Sequence, residues 1–164
     1  MNIPKNTIRS LVILLCLLAM GPALAVSTRN GVITIAGGQF PVSTDLPSNA
    51  HWILKQMREA KQKGADIIQF PECALSGYAG VDYTTLAHFD WSSLREQTMR
   101  ILAAADSLDL WVLLGSMHRL SGGNKPHNCI YVIDPEGRIV DRYDKRFCTD
   151  GDLDFFTPGD HLAT

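Results

Sequence analysis

The chain has no excess of positive charge: 15 lysines and arginines face 17 aspartates and glutamates, a formal net charge of −2 over 164 residues. Nothing in that balance neutralises a phosphate backbone, so nucleic acid is not an expected partner. Cysteine is scarce, with four residues and no Cys-x-x-Cys pair. That argues against a zinc ribbon, a thioredoxin-like redox site and a disulfide framework. His118, His127 and Cys129 lie close in sequence but show neither a zinc spacing nor an i,i+4 pair, and the histidines read as structural or surface residues. There is no phosphate loop and no dinucleotide fingerprint, Gly37-Gly38 being too short to count as one, so neither a cofactor nor a metal is expected. Internal repeats, linkers and low-complexity segments are also missing. What remains is 46% hydrophobic and 20% charged, the make-up of an ordinary globular chain.

The start of the chain differs from the rest. Lys5 and Arg9 precede an apolar run from Leu11 to Met20, followed by Gly21-Pro22 and the small-residue site Ala23-Leu24-Ala25. A positive start, a short apolar segment and an A-x-A ending are the parts of a secretory signal peptide. The alternative, a membrane anchor, needs about 20 apolar residues, more than this run supplies. Residues 1–25 are therefore expected to be an export signal, with residues 26–164 forming a secreted or periplasmic domain that has no membrane contact after cleavage.

Strands and helices then alternate. Val32 to Ala36 reads as a buried strand closed by Gly37-Gly38. Asn49 to Lys63 reads as a helix capped by Ser48 and stopped at Gly64. Ala65 to Phe70 is a second strand. A helix starting at the capping box Ser93-Leu94-Arg95-Glu96 should run to about Leu108. Leu110 to Leu114, closed by Gly115, is a third strand, and Cys129 to Ile133 with Arg138 to Tyr143 form two more around the turn Asp134-Pro135-Glu136-Gly137. The order β-α-β-α-β-β-β predicts an α/β fold whose later strands pair antiparallel.

Two charged residues stand at strand ends. Phe70-Pro71-Glu72 puts a carboxylate where the second strand stops, at the crevice where α/β proteins hold ligands. A carboxylate partly withdrawn from water there is a better general base. Tyr143-Asp144-Lys145 places an ammonium at the end of the last strand, where it can stabilise an oxyanion. Taken singly, either residue could equally be a solvated surface charge.

Taken together with Gly77-Tyr78, Asn128, Asp134 to Gly137 and Phe156-Thr157-Pro158-Gly159-Asp160, these residues resemble the nitrilase superfamily of carbon–nitrogen hydrolases, over about Val32 to Leu162. The resemblance implies an α-β-β-α sandwich, of which this chain would be the amino-terminal part. It also implies hydrolysis of a small amide, N-carbamoyl compound or nitrile through a Glu-Lys-Cys triad. Carried over, Glu72 is the general base and Lys145 stabilises the tetrahedral intermediate. Tyr78 and Asp152 fall where substrate-positioning residues are expected, Asp152 standing in for a second glutamate of the family. Family members commonly associate, so a homo-oligomer is possible.

In the family the nucleophilic cysteine follows the lysine, in a later strand. Cys73, next to Glu72, should point the other way in an extended chain, and Cys129 lies inside a strand. Cys148 sits in a loop whose context differs from the nucleophile segment, although Lys145 and Arg146 nearby could activate it. The expectation is therefore a nucleophile beyond Thr164 and a domain incomplete at its carboxyl end, inactive as it stands and exposing apolar sheet surface. A non-catalytic, hydrolase-like secreted binding protein is the alternative. Asp150, Asp152 and Asp154 have the spacing of a calcium loop, but Phe155 replaces its glycine and His161 its closing glutamate.

Overall fold

The computed structural model describes residues 31–160, so the expected signal with Lys5, Arg9 and Cys16, and the carboxyl-terminal His161 and Leu162, lie outside the described residues. Five strands form one sheet in chain order: β1 (Ile35–Gly37), β2 (Ile67–Gln69), β3 (Trp111–His118), β4 (His127–Ile133) and β5 (Ile139–Asp144). The helices are α1 (Leu46–Gln62), α2 (Trp91–Leu108) and the single turn α3 (Asp150–Leu153). Strands β1 to β3 are parallel, and β4 and β5 continue as an antiparallel meander. This is the mixed α/β arrangement that the alternation of elements predicts.

Parallel neighbours need a crossover, and crossovers are right-handed. Two of them stepping the same way put α1 and α2 on one face of the sheet, where they pack against each other. That face carries Ile68, Val112, Leu114, Tyr131 and Ile133, which meet Ile53 and Met57 of α1 and Ile101 and Ala105 of α2 in the core. Each such large side chain, fully withdrawn from water, contributes about 1.5–3 kcal/mol. The opposite face carries Ile35, Ile67, Trp111, Leu113, Ile130, Val132 and Tyr143, none of them fully buried, and Met117, which is.

Several boundaries differ from the sequence reading. Strand β1 is shorter than expected and is not buried: it is a sheet edge with one neighbour, and Val32, Ile33 and Ile35 face solvent. Helix α1 begins at Leu46, with Asp45 as its cap accepting from the Ser48 N–H at 3.0 Å, so Ser48 lies inside the first turn. Helix α2 likewise begins at Trp91, with Asp90 accepting from the Ser93 N–H at 2.9 Å, and the Ser93–Glu96 box does not form. Strand β3 does not stop at Gly115 but runs on to His118. The β4–β5 turn is as expected. Gly137 has φ +70°, and Asp134 Oδ1 accepts from the N–H groups of Glu136 and Arg138.

Candidate active site

The chain leaving β2 steps sideways across the sheet. Its last ladder bond runs from the Phe70 N–H to the Leu113 carbonyl at 2.9 Å, and Pro71 has no N–H to continue it. Residues 71–77 then coil, with Leu75 N–H bonding the Gly115 carbonyl at 3.0 Å and Gly77 N–H the Cys73 carbonyl at 2.9 Å. A side chain at Gly115 would run into the Pro71 carbonyl oxygen, so the crossing requires glycine inside β3. Cys73 takes up a left-handed backbone (φ 53°), not the extended one expected of it. The crossing carries Glu72 from β2 over to groups on β4 and β5.

Asn128 in β4 and Lys145, the residue after β5, are cross-strand neighbours, the Lys145 N–H bonding the Asn128 carbonyl at 2.8 Å. Lys145 Nζ lies 2.9 Å from Glu72 Oε1, 2.9 Å from Asp152 Oδ2 and 3.4 Å from the Tyr78 hydroxyl. Tyr78 in turn donates to Asp152 Oδ1 at 2.5 Å, and Asn128 Nδ2 donates to Glu72 Oε1 at 2.5 Å. All three ammonium protons therefore have acceptors. Side-chain exposure grades from 2% at Asp152 to 25% at Lys145 and 47% at Glu72. The withdrawal from water expected at Glu72 is thus not found: its carboxylate is half open, and its neighbours are polar.

Asp152 is held by α3. Thr149 and Asp152 form a capping box, with the Thr149 N–H donating to Asp152 Oδ2 at 2.9 Å. Burial alone would push the Asp152 carboxyl up, but hydrogen bonds from Tyr78, Thr149 and Lys145 outweigh it and hold the group well below the usual carboxylate range. At Lys145, burial disfavours the charge, and the bonds to Glu72 and Asp152 overcome that, keeping the ammonium above its ordinary value. Burial, then the bond to Asp152, pushes the Tyr78 hydroxyl up to about 12, so it remains an O–H donor. The structure thus brings Glu72, Lys145, Tyr78 and Asp152 into one network.

The three described cysteines are not in thiolate-favouring surroundings. Burial pushes Cys73 up to about 12 and also raises Cys129, which lies on the helix-covered face. Cys148 is raised too, by burial and then by Asp152, which overrides the activation by Lys145 that its position suggested. The Asp150–Asp154 spacing does not form a cation loop, because α3 turns Asp152 inward to Lys145. Among the described residues no group of three His, Cys, Asp or Glu side chains is placed to hold a metal ion. His118 pairs with the Tyr131 hydroxyl at 2.8 Å. His127 Nδ1 faces the Thr157 carbonyl at 2.7 Å, so that nitrogen carries the proton. A cleft of about 1000 Å³ lined by Trp91, Arg119, Lys125 and Phe155 contains none of the clustered groups.

Asn128 enters this network although nothing beyond its place in the motif series marked it. A buried amide leading straight into the apolar run Cys129-Ile130-Tyr131-Val132-Ile133 needs partners, and that requirement is the available signal.

Residues 33–160 match the family described as carbon-nitrogen hydrolase. Over 115 residues, 70% of this chain, the sequence is 30% identical to omega-amidase NIT2 of Xenopus tropicalis, covering 40% of that protein. The fold is shared with the NitN amidase of a Nesterenkonia species at TM-score 0.70 and 18% identity, over 79% of this chain and 51% of that one. A carbon-nitrogen hydrolase of Helicobacter pylori superposes at TM-score 0.68 and 19% identity, over 78% and 45% of the two chains. One solved form of the Nesterenkonia amidase carries the acetamide moiety of fluoroacetamide on its active-site cysteine. The chain spans about half the length of these solved proteins.

Proposed function

The chain belongs to the carbon-nitrogen hydrolase family, and from that premise we propose that it forms the base-and-ammonium half of an exported hydrolase acting on a small amide, N-carbamoyl compound or nitrile. The observation that carries the proposal is the Lys145 ammonium bonded at 2.9 Å to both Glu72 and Asp152, groups brought from three separate segments. Glu72, half open, is placed to take a proton from an incoming thiol. The thiolate attacks the substrate carbon, and the charge developing on oxygen or nitrogen falls to Lys145. For an amide, the intermediate collapses, the amine leaves with the proton held by Glu72, and water, deprotonated by the same carboxylate, releases the acid from the thioester. Asp152 and Tyr78 position the ammonium and the substrate beside it. The Tyr78 bond, the longest of the three on Lys145, is the one an oxyanion can replace.

We assign the attacking thiol to residues beyond those described, following the family's order in which the cysteine comes after the lysine; burial opposes the thiolate at Cys73, Cys129 and Cys148. Residues 1–25 direct export, with cleavage after Ala25. Among the described residues no helix is long and apolar enough to cross a membrane. The test is turnover of small amides, carbamoyl compounds and nitriles by the whole protein and by Glu72→Gln and Lys145→Met. Each substitution should lower kcat by about 10³-fold or more. Either variant retaining activity within about threefold of the parent would refute the assignment.

A further inference from the structure

We propose that Asn128 is a positioning residue for Glu72, and that the buried thiol of Cys73 fixes which way the Asn128 amide faces; this rests on Glu72 acting as the base. Two hydrogen bonds carry the inference. Asn128 Nδ2 donates to Glu72 Oε1 at 2.5 Å, and Cys73 Sγ lies 3.5 Å from Asn128 Oδ1. An ionised carboxylate accepts only, so the NH2 group must face Glu72 and the amide oxygen must face away. The group on the far side must then be a donor. Cys73 meets that need: it is fully buried, and burial pushes its thiol up to about 12, so the S–H persists over the working pH range.

The geometry separates this role from ordinary core packing. Asn128 in β4 and Lys145 just past β5 are joined by a backbone bond, and their side chains converge on the same oxygen of Glu72. That leaves Oε2 of Glu72 with no bond to either and directed by both. The left-handed backbone at Cys73 turns the residue after the base back toward Asn128, closing a ring from Glu72 through Asn128 to Cys73. An amide needed only for satisfaction inside a strand would bond backbone, and this one bonds the base and its sequence neighbour.

The test reads the ring directly and through turnover, in the whole protein. The Asn128 side-chain amide signals in a ¹⁵N–¹H spectrum should move in Glu72→Gln and in Cys73→Ala, and return toward their parent positions in Cys73→Ser, which restores a donor. Asn128→Ala should lower kcat by about 10- to 100-fold while KM changes by less than about threefold, the size expected for one lost bond to a charged group. Cys73→Ala should lower kcat by a smaller factor that Cys73→Ser largely recovers. Amide signals that ignore both Glu72→Gln and Cys73→Ala overturn the proposal, as does a folded Asn128→Ala with unchanged kcat. If the parent protein turns over none of the substrates, the hydrolase reading fails, and the spectra alone decide for or against the ring.

Discussion

Lys145 has three protons to give, and Glu72, Asp152 and Tyr78 accept them all. The two partners differ in kind. Asp152 is sealed from water and further bonded by Tyr78 and Thr149, whereas Glu72 is half open to solvent. Asp152 titrates below its ordinary value in the folded chain, so it adds stability that is present above about pH 4 and lost as pH falls through its folded value. Lys145 is shifted the other way, and its contribution persists below about pH 10 and fades only above its raised folded value. Between those limits both charges are constant. Thermal unfolding followed from pH 5 to pH 2 should therefore show a falling Tm, with a shallower slope in Asp152→Asn by about one proton's linkage. Equal slopes would mean that Asp152 is not held as described.

At the scale of elements, both long helices begin earlier than the serines suggest, for one reason. Each start reads Asp-x-x-Ser, and the aspartate caps while the serine supplies the N–H it captures. Asp90→Ala should cost about 1 kcal/mol in chemical denaturation, and Ser93→Ala less than about 0.5 kcal/mol. The body of each helix was legible because Ile53, Met57 and Ala60, and Leu94, Ile101 and Ala105, repeat on one face. Gly115 misleads for a subtler reason. Glycine near a strand end signals a stop, and only the path of another segment, the Pro71 carbonyl over β3, explains it inside one. Gly115→Ala should lower stability by about 1–3 kcal/mol and displace Glu72 from Lys145. The displacement would appear as a loss of kcat of about tenfold or more with the sheet intact by circular dichroism.

For the whole molecule, the sequence made the alternation of elements and the two strand-end charges readable, since both follow from local pattern. It did not make readable that Glu72 reaches across two strands, because that depends on which strands are neighbours. The face opposite the helices is a second consequence of the strand order. Its apolar row includes Ile35, 65% exposed, and Trp111, 38% exposed, and the segment that crosses at Gly115 covers only its far end. A segment of residues 31–160 produced alone should bind a hydrophobic dye and associate, and Ile67→Lys with Trp111→Lys should reduce both. Dye binding that ignores the double change would place the sticky surface elsewhere. The sideways step at Gly115 also bears on how the protein is made. Glu72 and Lys145 are 73 residues apart, so their meeting closes a long loop and waits for β4 and β5 to dock. Until those strands are in place, Glu72 and Tyr78 stand apart from Asn128, Lys145 and Asp152. In a newly made chain the charged cluster thus closes only once the segments bearing Lys145 and Asp152 have joined the sheet.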